Sequence, residues 1–453
     1  MSLKTYSAQT PADLKELSSR HDGLTVILQL TSKQLMSSAS NWTRLHLLVY
    51  RLITGSETSF LEPFEGDHND ACPICQLSKE LPTQQIDLLM LRSLLEDITP
   101  SELLQPESKL LQSPWGYLKV ALAQASHTSV TDAPKPREER KKPPVEKYGS
   151  YTNSWTAILG SSSPLGPSSS EYEMEFEDVD EDENEARQSI PEDISVHLAI
   201  AIIRCVLLCL KQPGEQEEVR ARVERIKVQA TIAGFDGIMF EDDAGMSFYC
   251  RQNYGWKLVH PFITMVEAKR AFKYIRKDTQ SGRSSPMVPD NVLAQYLAQA
   301  VLAWQANPSL LHKGFGATAL ELLWVTHSLL TSYSVFLMAV VNTFVQFIYF
   351  TFGSDYREYI EATTAEEQLR VVNDPEKDTF VYMARTKWYD LRMSEGRRLT
   401  ACTLLTRLRQ ILPKLQATRE GAMPSPRTHT LESDSDDLMY SDNDFNDGND
   451  SSE

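Results

Sequence analysis

One short segment places an acidic and a basic side chain at the end of a buried strand pattern. Glu267-Ala-Lys269 directly follows residues 262–266, an apolar run typical of a strand that is buried on both faces. Side chains two positions apart in a strand point the same way, so Glu267 and Lys269 share one face. A buried carboxylate and ammonium are costly unless they are paired, reach solvent or bind an ion. The pair therefore indicates either a chemical site or a structural ion pair.

The context distinguishes this segment from other Glu-x-Lys tripeptides. Residues 107–109 and 139–141 have the same spacing, but they lie in polar surroundings with no strand pattern before them. Only Glu267 is preceded by β-prone runs that carry acidic residues. The sequence leaves three of these open as partners: Asp236, Asp242 and Asp243.

The elements that must position these residues alternate between helices and strands. Apolar periodicity predicts a helix at 196–210, a second helix at 291–304 and a basic amphipathic helix at 397–415. Short β-prone runs predict strands at 226–232, 235–241, 246–251, 260–267, 335–341, 344–352 and 379–384. This order predicts an α/β (α+β) fold over residues 191–420, with a central mixed sheet flanked by helices.

The rest of the chain divides into three further segments. Residues 1–125 are expected to form a helical N-terminal region, with helices at 12–30, 42–53, 84–95 and 115–125. Residues 126–190 are rich in Pro, Ser, Gly and charge, so we expect a disordered linker, and 421–453 an equally disordered acidic tail.

The net charge of −17 comes from two short stretches. Residues 171–185 hold ten acidic side chains and 431–453 hold nine, with no basic residue in either. The remainder is nearly neutral, which leaves nucleic acid open as a partner; proteins that bind the acidic segments are a further alternative. Six cysteines and the absence of a signal pattern at 1–11 predict an intracellular protein of the nucleus or cytoplasm.

Over residues 191–415 the sequence resembles the fungal branch of the PD-(D/E)XK nuclease-like superfamily, whose fold is restriction-endonuclease-like. The resemblance rests on five blocks: Asp236-Gly-Ile, His260-Pro-Phe-Ile-Thr-Met-Val-Glu-Ala-Lys-Arg-Ala-Phe272, Leu293-Ala-Gln-Tyr-Leu-Ala-Gln299, Asn342-Thr-Phe-Val-Gln-Phe-Ile348 with Phe352-Gly-Ser-Asp-Tyr356, and Trp388-Tyr-Asp-Leu-Arg392. The second and third blocks together are the most specific.

The resemblance implies a Mg²⁺-dependent nuclease that hydrolyses phosphodiester bonds in DNA or RNA. Asp236 and Glu267 would hold the metal, with Asp242 and Asp243 as alternatives to Asp236. Lys269 would orient or activate the attacking water, and Gln295 matches a glutamine that often lies beside the site. The alternative is a non-catalytic interaction protein that keeps the fold as a scaffold.

The first helix offers no obvious carboxylate for this site. Glu192 and Asp193 stand at its start, where an N-capping function is the simpler interpretation.

Three further patterns have competing interpretations. Cys72-Pro-Ile-Cys75 with His68 is half of a zinc site, although an ordinary helical turn is favoured. Residues 322–354 lack charge, but their polar and β-branched composition favours buried strands over a membrane span. Two groups of basic residues are expected either to contact nucleic acid or simply to face solvent. They lie at 135–147 and at Arg397, Arg398, Arg407, Arg409 and Lys414.

Overall fold

The computed structural model describes residues 5–21, 23–71, 74, 93–112, 115–126, 192–209, 216–269, 275–277, 284–306 and 334–420. The linker expected at 126–190 and the acidic tail expected at 421–453 therefore lie almost wholly outside the described residues. The chain divides into two compact units, Met1–Arg409 and Gln410–Glu453. Within the described part, the second unit consists of the last turns of one helix.

Twelve strands are present in the described residues. They are β1 Leu52–Thr58, β2 Glu217–Arg222, β3 Lys227–Ile232, β4 Phe235–Glu241, β5 Ala244–Gln252, β6 Gly255–Lys269, β7 Ile275–Lys277, β8 Ser284–Pro286, β9 Ser334–Val341, β10 Phe344–Phe352, β11 Val381–Thr386 and β12 Tyr389–Asp390.

The α-helices of the same residues lie before, between and after these strands. They are α1 Pro11–Ser19, α2 Ser32–Leu35, α3 Arg44–Val49, α4 Glu62–Ala71, α5 Pro100–Leu103, α6 Glu107–Leu110, α7 Gly116–Ser126, α8 Glu192–Leu208, α9 Asp290–Ala306, α10 Tyr356–Glu361, α11 Ala365–Val372 and α12 Ser394–Glu420.

The fold is mixed α/β, with a large mixed sheet at its centre. Seven strands follow the order β1-β11-β10-β9-β6-β5-β2, and β12 pairs with β10 as the eighth. The β1/β11 and β6/β9 pairs are parallel, and the other pairs are antiparallel. The strands β3 and β4 form a separate two-stranded sheet, as do β7 and β8.

The centre of the sheet is a strand, helix, strand unit made by β6, α9 and β9. The parallel register sets Glu267 beside Ala339 and Lys269 beside Val341, so both charged residues lie at the carboxyl end of β6 in the sheet interior. Helix α9 packs against β9 and shares a hydrophobic core with Met265, Leu337 and Ala339. The rigid scaffold therefore fixes Glu267 and Lys269 from one strand and Gln295 from one helix.

Two expected helices of the N-terminal region differ from the structure. The helix expected at 12–30 ends at Ser19, and Gly23 then adopts a positive φ that turns the chain. The helix expected at 42–53 is α3, which ends at Val49 because Arg51 adopts a left-handed φ of 59°. The helix expected at 84–95 lies almost wholly outside the described residues, and that expected at 115–125 is present as α7.

The N-terminal region is more than a helical module, because it supplies a strand of the sheet. Strand β1 pairs in parallel with β11, Leu52 beside Val381 and Ile53 beside Tyr382. Leu52 and Ile53 are buried, and the side chain and N–H of Thr54 both donate to the carbonyl of Ala8. Residues expected to lie in separate regions therefore share one sheet.

The interpretation of the uncharged stretch as buried strands is confirmed for its described part. Residues 334–352 form the hairpin β9–β10, and Asn342 turns the chain with a φ of 55°, a conformation that asparagine tolerates well. Residues 322–333 lie outside the described residues. No described helix is long and apolar enough to cross a bilayer.

Candidate active site

Asp243 lies beside the Glu267-Ala-Lys269 segment because β5 and β6 are neighbours. It immediately precedes β5, and its backbone N–H donates to the carbonyl of Val266 at 3.1 Å. Its side-chain Oδ2 accepts from the N–H of Ala268 at 2.9 Å. These two bonds fix the Asp243 carboxylate between the residues that carry the charged pair.

The Glu267 carboxylate has three polar partners. Oε1 lies 2.5 Å from Nζ of Lys269 and accepts a hydrogen bond of 2.5 Å from Nε2 of Gln295. Oε2 accepts from Nε2 of Gln299. Since Gln295 and Gln299 are one helical turn apart on α9, they reach the carboxylate from one face of that helix. The expectation that Gln295 lies beside Glu267 and Lys269 therefore matches the geometry.

The first turn of α8 closes another side of this cluster. The Ser195 hydroxyl donates to the carbonyl of Lys269 at 3.4 Å and accepts from the N–H of Asn342 at 3.2 Å. Glu192 is buried, and its charge acts on both Asp243 and Lys269. Sequence reasoning assigned Glu192 to helix capping; the structure places it near the site.

Arg225 connects the cluster to the protein surface. Its Nη2 lies 3.7 Å from Oδ1 of Asp243 and 3.6 Å from a carboxylate oxygen of Asp193. The Arg225 side chain is 26% exposed and that of Asp193 is 80% exposed, whereas that of Asp243 is fully buried. The partly exposed Arg225 side chain therefore links the buried Asp243 carboxylate to the surface.

Burial and neighbouring charges shift the pKa values of Asp243 and Lys269. Burial raises the pKa of Asp243 well above its ordinary value, and the charges of Glu267 and Glu192 raise it further. Burial alone would lower the pKa of Lys269, but the carboxylates of Glu267, Glu192 and Asp243 outweigh it and raise that pKa. Lys269 therefore stays protonated, and the three carboxylates around it outnumber its single positive charge.

The structure does not bring Asp236 into the cluster. Asp236 is an exposed residue of β4 in the separate β3–β4 sheet, and it accepts a hydrogen bond from Thr231. The carbonyl of Thr231 accepts from Gln305, close to the carboxyl end of α9. Gln295 lies about 15 Å away along that helix at 1.5 Å per residue. The predicted pairing of Asp236 with Glu267 is therefore corrected: of the three acids left open by the sequence, Asp243 is the one hydrogen-bonded within Glu267-Ala-Lys269.

Asp242 has a different set of partners. It forms a fully buried ion pair with Arg222, in which Nη1 of Arg222 lies 3.0 Å from Oδ1, and it accepts from the N–H of Ile226 at 2.8 Å. Burial raises the pKa of Asp242 to about 6 despite the arginine. Since the oxygens of Asp242 bond to Arg222 of β2 and to Ile226 after that strand, Asp242 stabilises the edge of the sheet that β2 forms.

Two of the five basic residues considered for a nucleic-acid surface on α12 are structural. Arg397 is fully buried and donates to the carbonyls of Leu94, Glu96, Leu391 and Arg392. Arg407 is buried, donates to the carbonyl of Ile263 and stacks on the Phe336 ring. Their positive charges satisfy backbone carbonyls, so neither presents a surface to a polyanion.

The half zinc site expected from the sequence lies mostly outside the described residues. Cys72 and Cys75 lie outside the described residues, as does the His68 side chain. The basic run at 135–147 lies outside them as well.

Asp243 and Glu267 supply carboxylate oxygens, the donors that a hard divalent cation prefers, although both oxygens of Glu267 already accept hydrogen bonds. Among the described residues, Oδ1 of Asp243 is buried without a hydrogen-bond partner, and its ion pair with Arg225 is long, at 3.7 Å. The described residues bring no three His, Cys, Asp or Glu side chains together as metal ligands. Two carboxylates are nevertheless a usual protein contribution to a Mg²⁺ site, because that ion keeps several waters and takes further oxygens from a phosphate substrate.

Sequence reasoning missed two further residues of this neighbourhood. Gln299 is the partner of Oε2, and its spacing from Gln295 was the available signal. Tyr296 is fully buried, and its pKa is raised well above the ordinary value by burial and then by the charges of Glu267 and Asp243.

No protein-family model matches the chain, and no curated protein matches it.

Proposed function

We propose that the chain is a Mg²⁺-dependent nuclease of the PD-(D/E)XK type that hydrolyses phosphodiester bonds in DNA or RNA. Asp243 and Glu267 would hold the metal ion, and Lys269 would act on the substrate phosphate and its attacking water. The proposal places this activity in the nucleus or the cytoplasm.

One observation carries the proposal: the hydrogen bond from Ala268 to Asp243. It sets a second carboxylate against Glu267-Ala-Lys269 at the end of a central strand. Two carboxylates and one ammonium in a buried cluster are costly for a core, because like charges repel and all three are desolvated. Groups with shifted pKa values, such as Asp243 and Lys269, concentrate at functional sites.

Each side chain has a defined task in this proposal. Mg²⁺, when bound, would act as a Lewis acid on the phosphate and lower the pKa of a coordinated water. Lys269 would hold its ammonium where negative charge develops on the phosphate oxygens. Gln295 and Gln299 would fix the orientation of Glu267 through their amide donors. Arg225, at the solvent side, would meet an entering phosphate.

A second candidate is a non-catalytic scaffold that retains the same fold. Both oxygens of Glu267 already have protein partners, with Lys269 and Gln295 at Oε1 and Gln299 at Oε2. That arrangement favours a structural ion pair. The scaffold would bind protein partners through the acidic segments, and it would have no affinity for Mg²⁺.

Cleavage by the full chain separates the two candidates. Labelled single- and double-stranded DNA and RNA are incubated with Mg²⁺, and products are followed by gel electrophoresis. The nuclease predicts Mg²⁺-dependent products that disappear with Glu267→Gln and with Lys269→Met. Cutting that needs no metal and survives both substitutions would refute the assignment of these residues.

A further inference from the structure

The β5–β6 hairpin ends in exposed aromatic and apolar side chains. Tyr254 in the turn is fully exposed, and Trp256 and Leu258 on β6 are 37% and 39% exposed. Large apolar side chains grouped on a surface usually mark a binding site.

Strand register gathers Trp256 and Leu258 on one face with two residues of β5, and Tyr254 lies in the turn that joins the strands. Arg251 pairs with Trp256, and Tyr249 pairs with Leu258, so the four side chains share a face of the two strands. The guanidinium of Arg220 on β2 lies 4.4 Å from the Trp256 ring centroid and 5.4 Å from that of Tyr249. We call this set the hairpin patch: Arg220, Tyr249, Arg251, Tyr254, Trp256 and Leu258.

The charge around the hairpin patch selects an anionic partner. Residues 244–266, which form β5, the turn and most of β6, contain Arg251 and Lys257 and no aspartate or glutamate. On the neighbouring β2, Glu218 accepts a 2.7 Å hydrogen bond from Arg220, so these two charges balance. Glu217 and Lys257 both lie opposite Cys250, on the other face of the hairpin. The patch face therefore combines exposed rings with one further cation, Arg251.

We propose that the hairpin patch binds single-stranded nucleic acid, an inference that rests on the proposed nuclease function. Bases stack on the Trp256 and Tyr254 rings, and phosphates meet Arg251. Stacking platforms with interspersed cations are the general means of holding single strands without sequence preference, because every base has a π-face. A base pair inside a duplex does not expose that face, so duplexes bind the patch poorly.

The distance from the hairpin patch to Glu267 sets the length of nucleic acid that can reach both. Trp256 and Glu267 lie on the same strand, which bulges against β5. The paired part of β5 runs from Arg251, opposite Trp256, to Ala244, opposite Val266, a span of about 23 Å at 3.3 Å per residue. A stacked strand rises 3.4 Å per nucleotide, so about seven nucleotides span the distance. The patch thus anchors a substrate at one end while the candidate active site acts on the other.

The test is fluorescence anisotropy of labelled oligo(dT) and oligo(U) of 20 nucleotides with the full chain, in a chelator so that no cutting occurs. Stacking energies predict that Trp256→Ala and Tyr254→Ala each weaken binding at least about fivefold. Trp256→Phe, which keeps a ring, should retain most of the affinity. Tyr117→Ala is the matched control, since Tyr117 is 77% exposed on α7, and it should leave the affinity unchanged.

Unchanged affinity in both Trp256→Ala and Tyr254→Ala would overturn the inference. Equal affinity for duplex would do the same. So would a change in oligomeric state on Trp256→Ala, because the face would then join two copies of the chain. Binding in chelator does not need Glu267 or Lys269, so patch-dependent binding without Mg²⁺-dependent cutting would refute the nuclease alone. Cutting that requires Glu267 while both alanine variants bind normally would refute the hairpin patch alone.

Discussion

The Asp243 carboxylate and the Ala268 backbone N–H are joined by a 2.9 Å hydrogen bond across two neighbouring strands. Because Ala268 lies between Glu267 and Lys269, this bond sets the position of Asp243 relative to both. The proposed metal site depends on this bond, which also joins the start of β5 to the end of β6.

The buried pair of Glu267 and Lys269 should behave as one energetic unit. Removal of one partner from a buried pair leaves an uncompensated charge, so Glu267→Gln or Lys269→Met is expected to cost about 3–5 kcal/mol. The double variant should cost clearly less than the sum, with a coupling of about 0.5–3 kcal/mol in urea unfolding. The exposed pair Arg357–Glu361 is the control, with an expected coupling of only about 0.3–0.5 kcal/mol. Additive costs for the buried pair would contradict the ion pair.

The raised pKa of Asp243 makes stability depend on pH in a defined direction. A carboxyl whose folded pKa exceeds its unfolded pKa contributes stability that is fully present below the unfolded pKa, near 3.9, and is lost as pH rises. Relative to Asp243→Asn, the wild-type free energy of unfolding should therefore fall above about pH 4, by at most about 1.4 kcal/mol per pH unit. Urea titrations at several pH values measure the difference.

Two controls sharpen this pH experiment. Asp236→Asn should follow the wild-type profile, because Asp236 is exposed on β4. Mg²⁺ at about 100 times its Kd should restore about 2.7 kcal/mol to the wild type and nothing to Asp243→Asn. Parallel pH profiles for wild type and Asp243→Asn would show that Asp243 ionises without cost.

Strand β1 should be indispensable to the sheet although it lies far from the site in sequence. Leu52 is fully buried against β11, so Leu52→Asp places an unpaired charge in the core and should abolish folding. Ser56→Asp lies on the exposed part of the same strand and should change stability by less than about 0.5 kcal/mol. Circular dichroism and solubility of the two variants test this. A folded Leu52→Asp protein would mean that β1 is dispensable.

The sequence predicts the central strands well because their signal is local. The runs 335–341 and 344–352 are apolar throughout and bracket Asn342-Thr343, which matches β9, the turn and β10. Strand β2, at the edge of the sheet, has the sequence Glu-Glu-Val-Arg-Ala-Arg, whose four charged residues leave no apolar pattern that predicts a strand. Only its pairing with β5 identifies it as a strand.

The site is less predictable than the strands, because register decides it. Asp236, Asp242 and Asp243 all lie on or directly after one β-prone segment, 235–241. What separates them is long-range: β4 leaves the main sheet, Arg222 binds Asp242, and Val266 pairs with the N–H of Asp243. The hydrophobic period decides which face of a strand is buried, but it does not identify the partner strand.

The most direct test compares Mg²⁺-dependent cleavage by Asp243→Asn and Asp236→Asn in the full chain. Both substitutions remove one acid from the same β-prone segment, but only Asp243 lies beside Glu267 and Lys269. The expected result is loss of cleavage by at least about a hundredfold for Asp243→Asn, a loss of about 2.7 kcal/mol in transition-state stabilisation, and wild-type rates for Asp236→Asn. Wild-type cleavage by Asp243→Asn, or loss only with Asp236→Asn, would contradict the assigned site.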